Sequence, residues 1–182
     1  MLATKRYITD LYATIEQINL QKWSDDIDML VDHVKSGKCL FTCGNGGSAN
    51  TASHFVTDWS KMTFLHTNKP ARVFCLCDQV GVVTAYGNDN GYDKIYSLQL
   101  EQYHTDDSAL LIVSGSGNSP NIIEALKLAK SKGLHCYGVL GFDGGKALEL
   151  CDTVFHVPSS DMQICEDIHM IFGHMVMKAL TE

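Results

Sequence analysis

Two glycine–serine segments carry the densest potential chemistry in this sequence: Cys43-Gly44-Asn45-Gly46-Gly47-Ser48 and Ser114-Gly115-Ser116-Gly117-Asn118-Ser119. Glycine lets a backbone approach a ligand closely. Hydroxyls at a helix start lie beside free N–H groups and the positive end of the helix dipole, an environment that favours an anion. Ser48, Ser114, Ser116 and Ser119 could ring one phosphate. Neither segment has the Gly-x-Gly-x-x-Gly spacing of a dinucleotide site or the Gly-Lys-Ser/Thr of a nucleotide-hydrolase loop. Taken singly, each reads equally well as a tight turn with Ser48 or Asn118 capping a helix. Two such loops at equivalent points favour an anion site.

A second constellation is acidic and imidazole-bearing. His54 and Asp58 are four residues apart and share a helix face. Near the end of the sequence, Glu166 and His174 differ by about 80° around a helix and can share a stripe, whereas His169 and His174 differ by about 140°. His169 therefore reads as structural or interfacial. His54, Asp58, Glu166 and His174 are a suitable donor set for zinc or another divalent metal. The competing reading is ordinary: a helical His–Asp pair is commonly a surface pair, and a histidine in a terminal helix commonly belongs to a core or interface.

These residues must be held by elements, and the apolar pattern supplies them. Residues 4–20 and 23–36 read as helices, the second ended by Gly37. Strand-like runs follow at 38–43, 71–77, 109–113, 136–140 and 153–157, each nearly continuous in apolar character, as for strands covered on both faces. Helical stretches alternate with them at 48–61, 80–86, 118–132, 146–150 and 162–180. Alternation of this kind predicts a five-stranded parallel sheet flanked by helices, with ligands outside the carboxyl ends of the strands, where both glycine–serine loops fall.

The chain has 182 residues, one domain's worth, with 45% hydrophobic and 19% charged residues. That mix excludes disorder, and no apolar run is long enough for a membrane span or signal peptide. Seven cysteines, an odd number with no Cys-x-x-Cys pair, read as reduced small hydrophobes in a cytoplasmic protein. A formal charge of −7 with scattered Lys and Arg argues against direct nucleic-acid binding. It leaves a small anionic ligand open.

The two loops and the final helix resemble the sugar isomerase (SIS) domain family, and within it the phosphoheptose isomerases. Asp78, Gly87-Asn88-Asp89 and Asp143-Gly144-Gly145-Lys146 extend the resemblance over nearly the whole chain. It implies a flavodoxin-like three-layer α/β/α sandwich and a homotetramer with sites between subunits. Residues 1–37 would form an N-terminal helical oligomerisation segment and 38–182 the sugar-phosphate-binding domain. It also implies aldose–ketose isomerisation of sedoheptulose 7-phosphate to D-glycero-D-manno-heptose 7-phosphate, for lipopolysaccharide, capsule or other glycan precursors. The four serines would hold the phosphate, and Asn45, Gly46, Gly115, Asp78 and Glu166 the rest of the substrate. Zinc would be bound by His54, Asp58, Glu166 and His174, with Asp58 and His174 as the acid–base pair. Asp78 reads equally as a helix cap, and Lys61 and Asp89 are weaker candidates.

Three positions depart from the family pattern. Gly115 stands where the isomerases often carry threonine. Asp58 replaces a glutamate, shortening its reach by about 1.5 Å. Glu166 brings a charge where an amide is common, and either carboxylate could serve as the base. Another sugar phosphate as substrate, a noncatalytic adaptor associating with a replication initiator, and a sugar-phosphate sensor are the alternatives. His174 favours an enzyme over the adaptor, which lacks that histidine.

Overall fold

The computed structural model describes residues 2–182; Met1, the first residue of the 1–37 segment, lies outside it. The elements run α1 (Ala3–Ile15), α2 (Leu20–Lys35), β1 (Cys39–Gly44), α3 (Gly47–Thr67), β2 (Arg72–Cys75), α4 (Val80–Asp89), α5 (Ser97–Tyr103), β3 (Ala109–Ser114), α6 (Pro120–Ser131), β4 (His135–Leu140), β5 (Thr153–His156) and α7 (Met162–Thr181). Short 3-10 turns occupy Tyr92–Lys94 and Gly145–Glu149.

All five strands are parallel, in the order β2-β1-β3-β4-β5. The order reverses between β1 and β3, opening a crevice at their carboxyl ends. Gly44 pairs with Val113 in the register, so the two glycine–serine loops leave the sheet side by side.

Each face of the sheet has its own core. On one, Trp23, Ile27 and Leu30 of α2, Phe55 and Trp59 of α3, and Phe172 and Val176 of α7 pack on Leu40, Leu111, Val139 and Phe155. Phe55 stacks on Trp59 at 4.7 Å between ring centroids, and Trp59 Nε1 donates to the Gly173 carbonyl at 2.9 Å. A side chain at Gly173 would come within 2.1 Å of Phe55, so this close helix crossing requires glycine. On the other face, Leu100 of α5 and Ile122 and Leu126 of α6 cover Phe41, Leu110 and Ile112. The result is the expected three-layer α/β/α sandwich.

Several boundaries differ from the sequence reading. Helix α1 ends at Ile15, and α3 continues to Thr67, stopped by Asn68 in the left-handed region. Helix α5 was not foreseen; seven residues are too few for apolar periodicity to stand out. Residues 146–150 form only part of a 3-10 turn. Strand β2 lies at the sheet edge with Phe74 52% exposed, so that run is not covered on both faces. Helix α2 is built into the core through five buried residues. Helix α1 lies on α7, where Tyr7 donates to Asp167 at 2.7 Å. The Asp167 carboxylate pushes the Tyr7 hydroxyl up to about 12. Among the described residues, no helix is long and apolar enough to cross a membrane.

Candidate functional site

The 43–48 loop turns on Gly46, whose φ of 55° with ψ of −122° suits glycine alone. Gly46 is therefore the N-cap of α3. Ser48, expected as a possible cap, lies inside the first turn and is buried. A net of side chains fixes this loop. Asn45 and Asn121 exchange amide hydrogen bonds at 2.9 and 2.8 Å. The Asn45 carbonyl also accepts from the Tyr92 and Tyr96 hydroxyls at 3.3 and 3.4 Å. Tyr96 donates to the Gly44 carbonyl as well, as does the Cys77 thiol at 3.4 Å. Burial pushes the Tyr96 hydroxyl well up, so it remains a donor. The Cys75 thiol, helped by Tyr96, holds Cys77 below its ordinary value. All seven cysteines are free.

The 114–119 loop is held mainly by its own hydroxyls. Ser114 Oγ accepts from Gly117 N–H at 3.0 Å, and Ser116 Oγ from Asn118 N–H at 3.3 Å. Ser119, not Asn118, occupies the N-cap of α6 and makes no side-chain cap bond there. Asn118 instead accepts from Lys146 N–H at 3.1 Å, while Ala147 N–H donates to the Gly117 carbonyl at 3.0 Å. The 143–146 stretch thereby braces the second loop. Ser48 and Ser119 hydroxyls have no hydrogen-bond partner among the described residues, which leaves both open to a ligand.

The first turns of α7 lie across both loops. A side-chain carbon at Gly115 would meet Met162 Sδ at 2.4 Å, and one at Gly47 would meet Glu166 Oε1 at 2.6 Å. Met162 thus fills the volume that a larger residue at 115 would need.

Farther along α3 and α7, His54 Nε2 lies 3.2 Å from Asp58 Oδ2, and His174 Nε2 3.8 Å from the same oxygen. The imidazole centroids are 5.6 Å apart. One ligand atom from each of the three lies within 4.8 Å of the others. Two imidazoles and a carboxylate with a position left open fit a catalytic zinc, so these residues could hold a divalent ion. Glu166 does not join them. It precedes His174 by eight residues, about 12 Å along α7, and its carboxylate sits at Gly47. Three of the four anticipated ligands, His54, Asp58 and His174, offer ligand atoms within 4.8 Å of one another.

Asp78 is exposed and does not cap α4; Gln79 holds that position. Asp78 lines a groove along the β2 edge with Phe41, Phe74 and Tyr103, and none of the four serines lines it. Asp89 is exposed and accepts from Asn88 Nδ2 at 2.7 Å; Lys61 is exposed one turn beyond Asp58. His169 is fully buried. Asn121 and Tyr96 were missed in the sequence. The signal for Asn121 was a polar residue opening an apolar helix face, directly before Ile122 and Ile123.

The SIS domain family model matches residues 5–141. The phosphoheptose isomerase of Burkholderia pseudomallei is 33% identical over 180 residues, covering 93% of this chain and 90% of the relative. That of Aliarcobacter butzleri is 36% identical over 150 residues, covering 82% and 79%. Among solved structures, a phosphoheptose isomerase from Neisseria gonorrhoeae matches with a TM-score of 0.85 at 26% identity over 97% of both chains. One from Francisella tularensis, at 23% identity, shares the fold with a TM-score of 0.81 over 99% of this chain and 98% of that one. The chain belongs to the SIS domain family, among its phosphoheptose isomerases.

Proposed function

We propose that the protein converts sedoheptulose 7-phosphate to D-glycero-D-manno-heptose 7-phosphate through an enediol, supplying a glycan precursor such as those of lipopolysaccharide or capsule. The observation that carries this reading is the meeting of His54, Asp58 and His174 beyond the two loops. From Ser48 to His54 is about 9 Å along α3, which leaves room for a sugar chain between the loops and the cluster.

Moving a proton between C1 and C2 requires a base at carbon and an acid at oxygen. Asp58 takes the carbon proton, and His174 serves the oxygens. The serines grip the phosphate, and that remote binding energy aligns the reactive end. Asn45 and Gly46 shape the first loop, Gly115 the second, and Glu166 and Asp78 contact sugar hydroxyls. A divalent ion such as zinc, held by His54, Asp58 and His174, would polarise the carbonyl when bound. We assign the 1–37 segment to self-association, with a tetramer as the assembly. Ile8 and Tyr12, exposed on α1, support that assignment. The cytoplasm is the proposed compartment.

The test is to incubate the protein with sedoheptulose 7-phosphate, with and without zinc, and follow aldose formation by NMR. Aldose should accumulate, and faster with the metal. No turnover of this or related ketose phosphates rejects the reading.

A further inference from the structure

Four of the cysteines are plain filler. Burial pushes the Cys136 and Cys151 thiols up to about 12, and those of Cys43 and Cys165 up as well, so they stay protonated and inert. Cys75 and Cys77 are different. They stand two apart where β2 ends, and the Asp78 N–H donates back to the Cys75 carbonyl at 3.3 Å. Such a turn folds Cα atoms two positions apart to within about 6 Å, a separation that a disulfide spans. The Cys77 N–H also donates to Cys75 Sγ at 3.4 Å, which holds the first sulfur over the second residue. Cys77 is half-buried between buried Leu76 and exposed Asp78. Its sulfur lies 3.3 Å from the Tyr96 hydroxyl, a group able to donate to a thiolate. The Cys75 contact and Tyr96 hold the Cys77 thiol below its ordinary value, while the Cys77 contact and burial push Cys75 well up. One sulfur is thus reachable and nucleophilic, and the other is shielded beside it. That is how an attacking thiol and a resolving thiol are arranged.

We propose that Cys75 and Cys77 form a peroxide-reactive modification site, whose closure to a disulfide loosens the 43–48 loop. The Cys77 thiolate attacks one oxygen of hydrogen peroxide. The O–O bond breaks, and the leaving hydroxide takes up the proton that Cys77 gave, as water. Cys77 is then a sulfenic acid. The Cys75 sulfur attacks the Cys77 sulfur, the S–O bond breaks, and hydroxide leaves with the Cys75 proton as a second water. Two thiols lose the two electrons that the peroxide gains. Reduced Cys77 donates to the Gly44 carbonyl at 3.4 Å. A bridged sulfur has no proton to donate, so Gly44 keeps only Tyr96. The next turn of chain rests on the same segment: Ala49 and Asn50 N–H donate to the Gly46 carbonyl at 3.1 and 3.3 Å. A bridge between residues so close in sequence is strained and readily reduced, which makes the modification reversible.

The test treats the intact, reduced protein with hydrogen peroxide and digests it with trypsin. Residues 73–94 then form one peptide whose cysteines are Cys75 and Cys77. That peptide should appear lighter by two hydrogens, and dithiothreitol should restore its mass. Cys75→Ser removes the resolving thiol and should trap a sulfenic acid on Cys77, read as a dimedone adduct. Cys77→Ser should leave Cys75 unoxidised at the same dose. In the oxidised wild type, hydrogen exchange at Ala49 and Asn50 should quicken several-fold and return on reduction. The proposal is overturned if the peptide keeps its mass, if peroxide links other cysteines first, if Cys75→Ser gives no adduct on Cys77, or if exchange at Ala49 and Asn50 stays the same. No readout needs turnover, so the outcome is independent of the isomerase assay.

Discussion

The loops and the His54–Asp58–His174 cluster both lie against α7, yet they are built in opposite ways. The loops are pinned from several sides: Asn45 by Asn121 and two tyrosines, Gly117 by Ser114, and Asn118 by the Lys146 backbone. The cluster has no such frame. Side chains of His54, Asp58 and His174 are 44%, 26% and 52% exposed, and their close polar contacts are with one another. A rigid cradle is ready before any ligand arrives. The cluster is left open to whatever completes it, an ion, a substrate or a second chain. Damage to the cluster should cost rate and spare stability, whereas damage to the frame should cost both.

The largest effect belongs to the cluster. His174→Ala should lower kcat by about a thousandfold in the isomerase assay and move the melting temperature by no more than about 2 °C. A large thermal shift with retained activity would reverse the contrast.

Next is the buried side of α7, where His169 is fully enclosed and neither ring nitrogen has a partner. Burial pushes it down to about 4. The unfolded chain takes up that proton first, so stability is full above pH 6.5 and falls as pH drops through 4. The loss is on the order of 3 kcal/mol at pH 4. Denaturation curves at pH 7 and pH 4 should show it, and His169→Leu should flatten the difference. An equal acid loss in the variant would assign the effect elsewhere.

Asn121→Ala cuts the brace between the loops. It should raise KM about tenfold and destabilise the fold by about 2 kcal/mol, since Asn45 loses its partner in a buried setting. Aspartate at 121 keeps an acceptor for Asn45 Nδ2 and should restore part of the affinity; an unchanged KM in the alanine variant would remove Asn121 from the frame. The smallest change is Tyr96→Phe, which removes one donor to the Gly44 carbonyl. It should cost about 1 kcal/mol in thermal stability and leave kcat within about threefold.

The same contrast explains what the sequence disclosed. The loops are local motifs, so their residue types announced an anion site without any structure. The five strands were legible because buried parallel strands are continuous apolar runs. The place of Ser48 inside the first turn of α3 was not, because the cap depends on Gly46 adopting a positive φ that several nearby glycines could have taken. Strand order and the exposure of Phe74 depend on which strand ends at an edge, which no local pattern states. Helical angles allowed Glu166 a place beside His174. What the angles could not show is that α7 rests Glu166 against Gly47.

Helix α7 has a consequence for biosynthesis. Every strand is translated before it, yet α7 seals one face of the sheet through Ile164, Ile168, Phe172 and Val176. A nascent chain on the ribosome would carry Phe55 and Trp59 without that cover until α7 emerged, a condition that invites chaperone capture or self-adhesion. His174 arrives in the same stretch, so the cluster cannot assemble before α7 is made.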